Sequence, residues 1–175
     1  EATVPATATI AAGSSSTSFP ITIIDDIDKD GSQTFAITAA ASGFTTGTRN
    51  LTVTDNDVHN FLISAIGATQ IRNVPFNVTF TARDVNNVTI TGYSGSPLLT
   101  ANDGATGLAV TPAAISGFSA GVKSHSVTVG SFASNAVLTL TDPVTGGSGT
   151  SSAFHVTFDP LSVFAWGSTP QPQVM

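Results

Sequence analysis

Short runs in which apolar and other residues alternate are the feature that most limits how this chain can fold. Val4, Ala6, Ala8 and Ile10 form one such run, and Phe76, Val78 and Phe80 belong to another. Alternation with a period of two places one set of side chains on a single face of a β-strand. Turn-forming residues separate these runs, and no segment shows a convincing helical period. The sequence therefore predicts an all-β protein built from antiparallel β-sandwiches.

The predicted strands fall into two groups along the chain. Four strands are predicted in the first 57 residues, at 4–10, 19–24, 34–39 and 51–55. About eight are predicted in the next hundred residues, at 61–65, 76–82, 88–91, 98–100, 108–111, 122–129, 136–141 and 154–158. A shift in composition after Asp57 separates the groups. We therefore expect one module at 1–57 and a second at 58–159.

The composition excludes several classes of function. The net charge is −6 and only five residues are basic, so nucleic acid and anionic membranes are poor partners. The chain has no cysteine, which excludes disulfides and thiolate chemistry. No apolar run is long enough to insert into a membrane.

A dense group of aspartates lies in the first module. Asp25, Asp26, Asp28 and Asp30 fall within six residues, and a second group follows at Asp55-Asn56-Asp57. Carboxylates at this density repel one another unless a cation or solvent takes up the charge. Ca²⁺ accepts six to eight oxygen ligands from flexible loops. The pattern is therefore interpreted as either a calcium loop or a solvated acidic turn. An EF-hand is disfavoured, because Ile37 occupies the twelfth position, where Glu is required, and no helices flank the loop.

The first module resembles the second half of a Calx-β domain, a calcium-binding β-sandwich found in sodium–calcium exchangers and large bacterial surface proteins. The resemblance is carried by Val4-Pro5-Ala6-Thr7-Ala8-Thr9-Ile10 with Gly13, by Phe19-Pro20-Ile21 leading to Asp25-Asp26, by Asp30-Gly31, and by Thr54-Asp55-Asn56-Asp57. It implies that the calcium ligands are Asp25, Asp26, Asp30, Asp55 and Asp57, with Glu1 a more distant candidate. The family's first strands would precede Glu1, so we expect this sequence to be a window on a longer protein.

Residues 58–158 resemble a bacterial immunoglobulin-like repeat of secreted adhesins and surface proteins. The carrying residues are Val74-Pro75-Phe76, Thr81-Ala82-Arg83-Asp84, Gly92-Tyr93-Ser94-Gly95, and Gly149-Thr150-Ser151 leading to Phe154-His155-Val156. In residues 160–175, a Phe precedes a Gln by nine residues, as it does near the start of the repeat. This segment is therefore interpreted as the first strand of a further repeat or as a linker strand.

No constellation typical of an enzyme was found in the sequence. His59, His125 and His155 are scattered without the paired spacing of a zinc site, and we interpret them as surface residues. Ser124 and His125 are neighbours on a predicted strand, so they point to opposite faces and cannot form a triad. The aromatic residues are mainly Phe at alternating positions, which indicates a core role. Exposed Ser and Thr residues could carry O-linked glycans, and glycans are also a candidate partner.

The favoured function is a structural or adhesive segment of an extracellular bacterial rod or filament, stiffened by calcium at the junction between its modules. The alternative is a carbohydrate- or protein-binding module of a cell-surface protein. We expect its partners to be neighbouring domains or subunits of the same protein. Such a neighbour could bind by adding a strand to one of the sheets, or it could be joined to this sequence as continuous flanking chain.

Overall fold

The computed structural model describes residues 2–159, which fold as fourteen β-strands without a helix. The predicted all-β class is therefore confirmed. Every strand pair but one is antiparallel, and the exception joins residues 69–71 to residues 155–157 in parallel. No helix that could cross a membrane occurs in this range. Glu1 and the predicted strand in residues 160–175 lie outside the described residues.

The first four strands form two separate two-stranded sheets. They are β1 (Ala2–Thr3), β2 (Thr22–Ile23), β3 (Gln33–Ala39) and β4 (Gly47–Val53). β1 pairs with β2 over two residues, whereas β3 and β4 pair along their whole length as a hairpin. Alternating Thr residues face each other across this hairpin, and the hydroxyl oxygens of Thr34 and Thr52 lie 2.7 Å apart.

Residues 2–57 enclose little apolar surface. Val53 is buried near the end of this segment, but Phe19, Ile23 and Phe44 are exposed. The strand predicted at 4–10 is wrong, because the structure has only β1 at residues 2–3 there. The strand predicted at 19–24 is reduced to β2 at residues 22–23. In both places the apolar alternation is present, but no long neighbouring strand pairs with the segment, and alternation alone does not fix a strand.

The remaining ten strands build two larger sheets. They are β5 (Asn60–Ile63), β6 (Thr69–Ile71), β7 (Phe76–Arg83), β8 (Leu98–Asn102), β9 (Gly107–Leu108), β10 (Val110–Thr111), β11 (Val122–Val129), β12 (Ala133–Thr141), β13 (Ser148–Thr150) and β14 (Phe154–Thr157). One sheet has the order β10-β11-β7-β5. The other has the order β6-β14-β12-β8-β9, with β13 also paired to β12. No described strand pair joins these sheets to β1–β4.

The core lies between these two sheets. Phe80 and Val127 reach it from the four-stranded sheet, while Leu99, Leu138 and Phe154 reach it from the six-stranded sheet, and all five are buried. The burial of alternate residues in β7 and β12 matches the sandwich predicted from their sequence. Burying one such side chain contributes about 1.5–3 kcal/mol of transfer free energy.

Two glycines allow β13 to approach β5 closely. A Cβ on Gly147 would meet the carbonyl oxygen of Val58, and one on Gly149 would meet the carbonyl oxygen of Phe61. The sequence predicts a turn over residues 146–149, but the structure places Ser148 and Gly149 in β13. The strand predicted at 88–91 is also wrong, because only an isolated bridge between Arg83 and Thr89 forms there.

The ten strands β5–β14 form what we call the larger unit, residues 58–159. The chain enters this unit at one end and leaves it at the other. Val58 lies beside the loop that follows β12, since the Thr145 hydroxyl donates to the Val58 carbonyl at 3.0 Å. Val156 pairs with Ala133, at the start of β12. Because β12 runs the length of the sheet, the two chain connections lie at opposite ends of the unit.

Candidate metal centre

Six aspartates from two separate stretches line one small cleft. Asp25, Asp26, Asp28 and Asp30 come from the loop after β2, and Asp55 and Asp57 follow β4. The cleft has a volume of about 70 Å³, and Ile23, Val53 and Asn56 complete its walls. Thus the fold brings together all five aspartates that the resemblance implies as ligands, and it adds Asp28.

Asp55 joins the two stretches. One of its carboxylate oxygens accepts a hydrogen bond from the Gly31 amide at 2.8 Å, and the other accepts one from the Asp57 amide at 2.7 Å. Gly31 has a φ of +81°, which favours glycine at the point where the acidic loop turns back towards β3. The loop carries its own constraint as well, because the Asp28 amide donates to Asp26 at 2.9 Å.

Asp57 is the most unusual carboxylate of the cleft. The residue is only 9% exposed and lines the cleft, and no described residue donates a hydrogen bond to its carboxylate. Burial raises the pKa of Asp57, and the neighbouring charges of Asp55, Asp25, Asp26 and Asp142 raise it further. Placing a buried anion among other anions is unfavourable unless a positive charge neutralises them.

The side chains as placed do not form a complete coordination shell. Within residues 2–159, no three histidine or acidic side chains are close enough to one another to hold a metal ion. The donor chemistry nevertheless suits a hard cation, since the cleft is lined by carboxylate and amide oxygens. Asp25, Asp26, Asp28 and Asp30 are exposed, so their rotamers are not fixed by packing.

Two contacts join the acidic loop to the larger unit, and a third, within that unit, supports the first. The ammonium group of Lys29 donates to the Thr145 carbonyl at 2.9 Å, and the Thr145 hydroxyl donates to the Val58 carbonyl. Gly31 lies against Val85 and Asn86, so close that a Cβ there would crowd both side chains. The acidic cleft therefore adjoins the connection between the two parts of the chain.

A buried polar group supports the loop that Lys29 contacts. Asp142 is only 3% exposed and accepts hydrogen bonds from the Val144 and Thr145 amides at 2.7 and 3.1 Å. Its other carboxylate oxygen accepts a hydrogen bond from the Tyr93 hydroxyl. Burial raises the pKa of Tyr93, and the bond to Asp142 raises it further, so Tyr93 remains a donor.

A groove with exposed aromatic side chains lies near the opposite end of the larger unit. Phe132 and Phe158 are 38% and 62% exposed, and their ring centroids lie 3.9 Å apart. The Arg72 guanidinium lies 4.4 Å from the Phe132 centroid, within cation–π range. The groove has a volume of about 450 Å³ and is also lined by Asp103 and His155.

Comparisons with known proteins include two structural similarities. No family model and no curated protein match the chain. The chain is similar to the D00-D0 domain of intimin, with 14% identity and a TM-score of 0.41 over 89% of this chain and 78% of that one. It is also similar to domains 4 and 5 of the S-layer protein SbsC, with 10% identity and a TM-score of 0.39 over 83% of this chain and 87% of that one. Neither similarity assigns the chain to a family, and the Calx-β resemblance stays a prediction.

The junction residues Lys29, Tyr93, Asp142 and Thr145 were not identified from the sequence as part of a site. The run Asp142-Pro143-Val144-Thr145-Gly146-Gly147 signals an Asx-type turn, because Asp side chains bind backbone amides two or three residues ahead. That signal locates the loop but not its contact with Lys29, which is 116 residues away in the sequence. The core role predicted for the Phe residues is wrong for Phe158, which is exposed in the groove.

Proposed function

We propose that this chain is a structural segment of an extracellular, multi-module bacterial surface protein, and that calcium in the acidic cleft stiffens the junction near residue 57. The observation that carries the proposal is Asp57. The residue is only 9% exposed, and its carboxylate opens into the cleft without a protein donor and among like charges, at the point where the two parts of the chain meet. A divalent cation would neutralise this charge and remove its repulsion.

The residues that would hold the ion come from both sides of the cleft. Asp57 and Asp55 provide oxygens from the stretch after β4, and Asp25, Asp26 and Asp30 provide them from the loop after β2. The exposed loop aspartates would move inward on binding, because the carboxylates as placed do not converge. An ion held by both stretches would resist bending there, since it joins the loop to the connection.

A calcium titration followed by thermal unfolding and small-angle scattering tests this proposal. Extracellular calcium modules have a Kd of about 10⁻⁴ to 10⁻³ M. At about ten millimolar calcium, such a site would stabilise the fold by about 1.4 to 2.7 kcal/mol. For a chain of this size, we expect the melting temperature to rise by roughly 3 to 11 °C. We also expect the scattering profile to report a narrower range of chain dimensions.

Two variants separate a specific site from general screening of charge. Asp57→Asn should abolish the calcium response, because it removes the anion that opens into the cleft without a protein donor. Asp103→Asn is the matched control, since Asp103 lies in the turn between β8 and β9, away from the cleft, and its response should equal that of the wild type. If calcium changes neither the melting temperature nor the scattering of the wild type, the calcium part of the proposal is wrong.

We propose that neighbouring modules or subunits cover the open side of residues 2–53. Both sheets there are two-stranded, and isolated two-stranded sheets are marginally stable in water. Val4, Ile10 and Phe19 are exposed there, which suits an added strand or a packed neighbour. Sedimentation at increasing protein concentration tests addition between copies. A monomer at every concentration would leave only a neighbour on the same chain.

A second candidate function is the binding of a carbohydrate or protein ligand, favoured by the aromatic groove. Two exposed phenylalanine rings beside Arg72, Asp103 and His155 combine an apolar surface with a few polar groups, as ligand sites do. A glycan array with the wild type and Phe158→Ala tests this function. Binding that disappears in Phe158→Ala would support it, and an array without any bound glycan would argue against a carbohydrate ligand.

A further inference from the structure

Lys29 is placed differently from the rest of the acidic loop. It lies between Asp28 and Asp30 in the sequence, yet its ammonium group bonds to Thr145, which is 116 residues away. The side chain is half-buried, whereas Asp28 and Asp30 are exposed. An ammonium group in this loop could remain among the carboxylates, but here it reaches a carbonyl of the larger unit instead.

The carbonyl that accepts this bond belongs to a well-supported loop. The Thr145 amide donates to buried Asp142, and the Thr145 hydroxyl donates to the Val58 carbonyl. Asp142 is held in turn by Tyr93 from the core. Lys29 therefore contacts a fixed point of the larger unit, because every other polar group of Thr145 has a partner within that unit.

Other contacts at the junction are less suited to fix its angle. Gly31 only packs against Val85 and Asn86 and makes no hydrogen bond to them. A polar groove of about 190 Å³, lined by Ser32, Asn56 and Asp84 among others, separates the two parts nearby. Among the described residues, Lys29 provides the only side-chain hydrogen bond from residues 2–53 to residues 58–159.

We infer that the bond from Lys29 to the Thr145 carbonyl fixes the orientation of the acidic loop on the larger unit, and we call this bond the latch. Through the latch, ion binding in the loop would affect the larger unit. Lys29 is a positioning residue, not an ion ligand. The effect of ion binding rests on the proposed calcium site, but the latch itself does not.

The charges predict how the ion and the latch are coupled. Without an ion, the loop aspartates attract the Lys29 ammonium group and compete with the Thr145 carbonyl for it. A bound divalent cation neutralises those carboxylates and repels the ammonium group, so it favours the latched position. Binding and latching therefore reinforce each other, as linkage requires.

The test compares Lys29→Met, Lys29→Arg and Lys123→Met by small-angle scattering, each with EDTA and with calcium, and measures calcium affinity by calorimetry. Lys123→Met is the matched control, because it removes the same charge from β11. In EDTA, Lys29→Met should show a wider range of dimensions than the wild type. The calcium affinity of Lys29→Met should stay within about threefold of the wild-type value. Calcium should no longer narrow the distribution of interatomic distances that scattering reports for this variant. Lys29→Arg keeps a donor and should restore most of the wild-type behaviour.

The result in EDTA decides the latch independently of calcium. If Lys29→Met scatters like the wild type in EDTA and in calcium, the inference is overturned. If the wild type does not bind calcium but Lys29→Met still broadens in EDTA, the calcium proposal fails and the latch stands. Equal broadening in Lys123→Met would also overturn it, because the effect would then follow from lost charge alone.

Discussion

Replacing Tyr93 with Phe should destabilise the larger unit by an amount that follows from the contacts of Asp142. Tyr93 is the only described donor to one of the Asp142 carboxylate oxygens, while the other oxygen accepts two backbone amides. Phe retains the ring, which packs edge-on against Phe61 and Phe118 with centroids 5.7 and 5.0 Å away. The substitution therefore isolates the hydroxyl.

The loss should be about 1.5–3 kcal/mol, because the hydrogen bond goes to a buried charged acceptor that is left without its partner. For a chain of 150–250 residues, this corresponds to a fall in melting temperature of roughly 3–12 °C. Urea unfolding monitored by circular dichroism measures the change in the free energy of unfolding. Thr100→Val is the control, since its exposed hydroxyl makes only a 3.4 Å contact with the Thr139 carbonyl, and it should change stability by less than about 0.5 kcal/mol.

A double-mutant cycle with Asp142→Asn tests the reasoning directly. If the Tyr93 hydroxyl acts through Asp142, the two substitutions together should cost less than the sum of their separate effects. Additive effects, or a Tyr93→Phe variant as stable as Thr100→Val, would refute the reasoning. In either case the Tyr93–Asp142 bond would not support the loop that Lys29 contacts.

Three further outcomes follow from the structure. The pKa of Asp57 is raised above its ordinary value of 3.8, so protonated Asp57 favours the folded state below pH 3.8. This contribution to stability is lost as the pH rises through the folded-state pKa of Asp57. In EDTA, the wild-type melting temperature should therefore fall from acidic to neutral pH, and Asp57→Asn should make this fall smaller. Gly147→Ala should destabilise by about 1–3 kcal/mol in urea unfolding, because the added Cβ meets a backbone carbonyl, whereas Gly92→Ala has open space and should be nearly neutral. Leu138→Ala should lower the free energy of unfolding by about 2–5 kcal/mol, because Leu138 is fully buried. Phe44→Ala, at an 81% exposed position, should change it by less than about 0.5 kcal/mol. Similar losses at both sites would contradict the assignment of the core.

The sequence predicts the larger unit better than the first 57 residues. The strand predicted at 122–129 coincides with β11, and the strand predicted at 76–82 differs from β7 by one residue. In these strands alternation and burial agree, because a partner strand lies on either side. Residues 4–10 show equally clear alternation but are exposed and form no strand. Pairing is a property of the whole fold, and a single segment does not reveal whether a neighbour exists.

Two strands were missed for a different reason. β6 (Thr69–Ile71) is too short to show alternation, and it pairs in parallel with β14, which lies 86 residues further along the chain. β13 contains Gly149 and follows Gly146 and Gly147; Gly149 is required by the close approach to β5, but glycine is otherwise a turn signal. Local sequence therefore suggests a turn where close packing requires the same residue.

The candidate metal centre was partly predictable. Carboxylate density indicated the acidic stretches, the resemblance implied Asp25, Asp26, Asp30, Asp55 and Asp57 as ligands, and the structure places these five along one cleft. Whether they bind calcium stays a prediction. The burial of Asp57 could not be inferred from its surroundings in the sequence, and neither could the charge of Asp142 near it, because Asp142 lies far along the chain.

The opposite placement of the two chain connections determines how the larger unit would carry tension. A pull on Val58 and on Asp159 acts along the strands, since β5 begins at one end and β14 stops at the other. Hydrogen bonds in an antiparallel pair lie across the strands, so such a pull loads them together in shear and does not unzip them one at a time. A unit whose chain connections lie at opposite ends resists extension best along the line between them, which is the direction in which successive modules would follow one another.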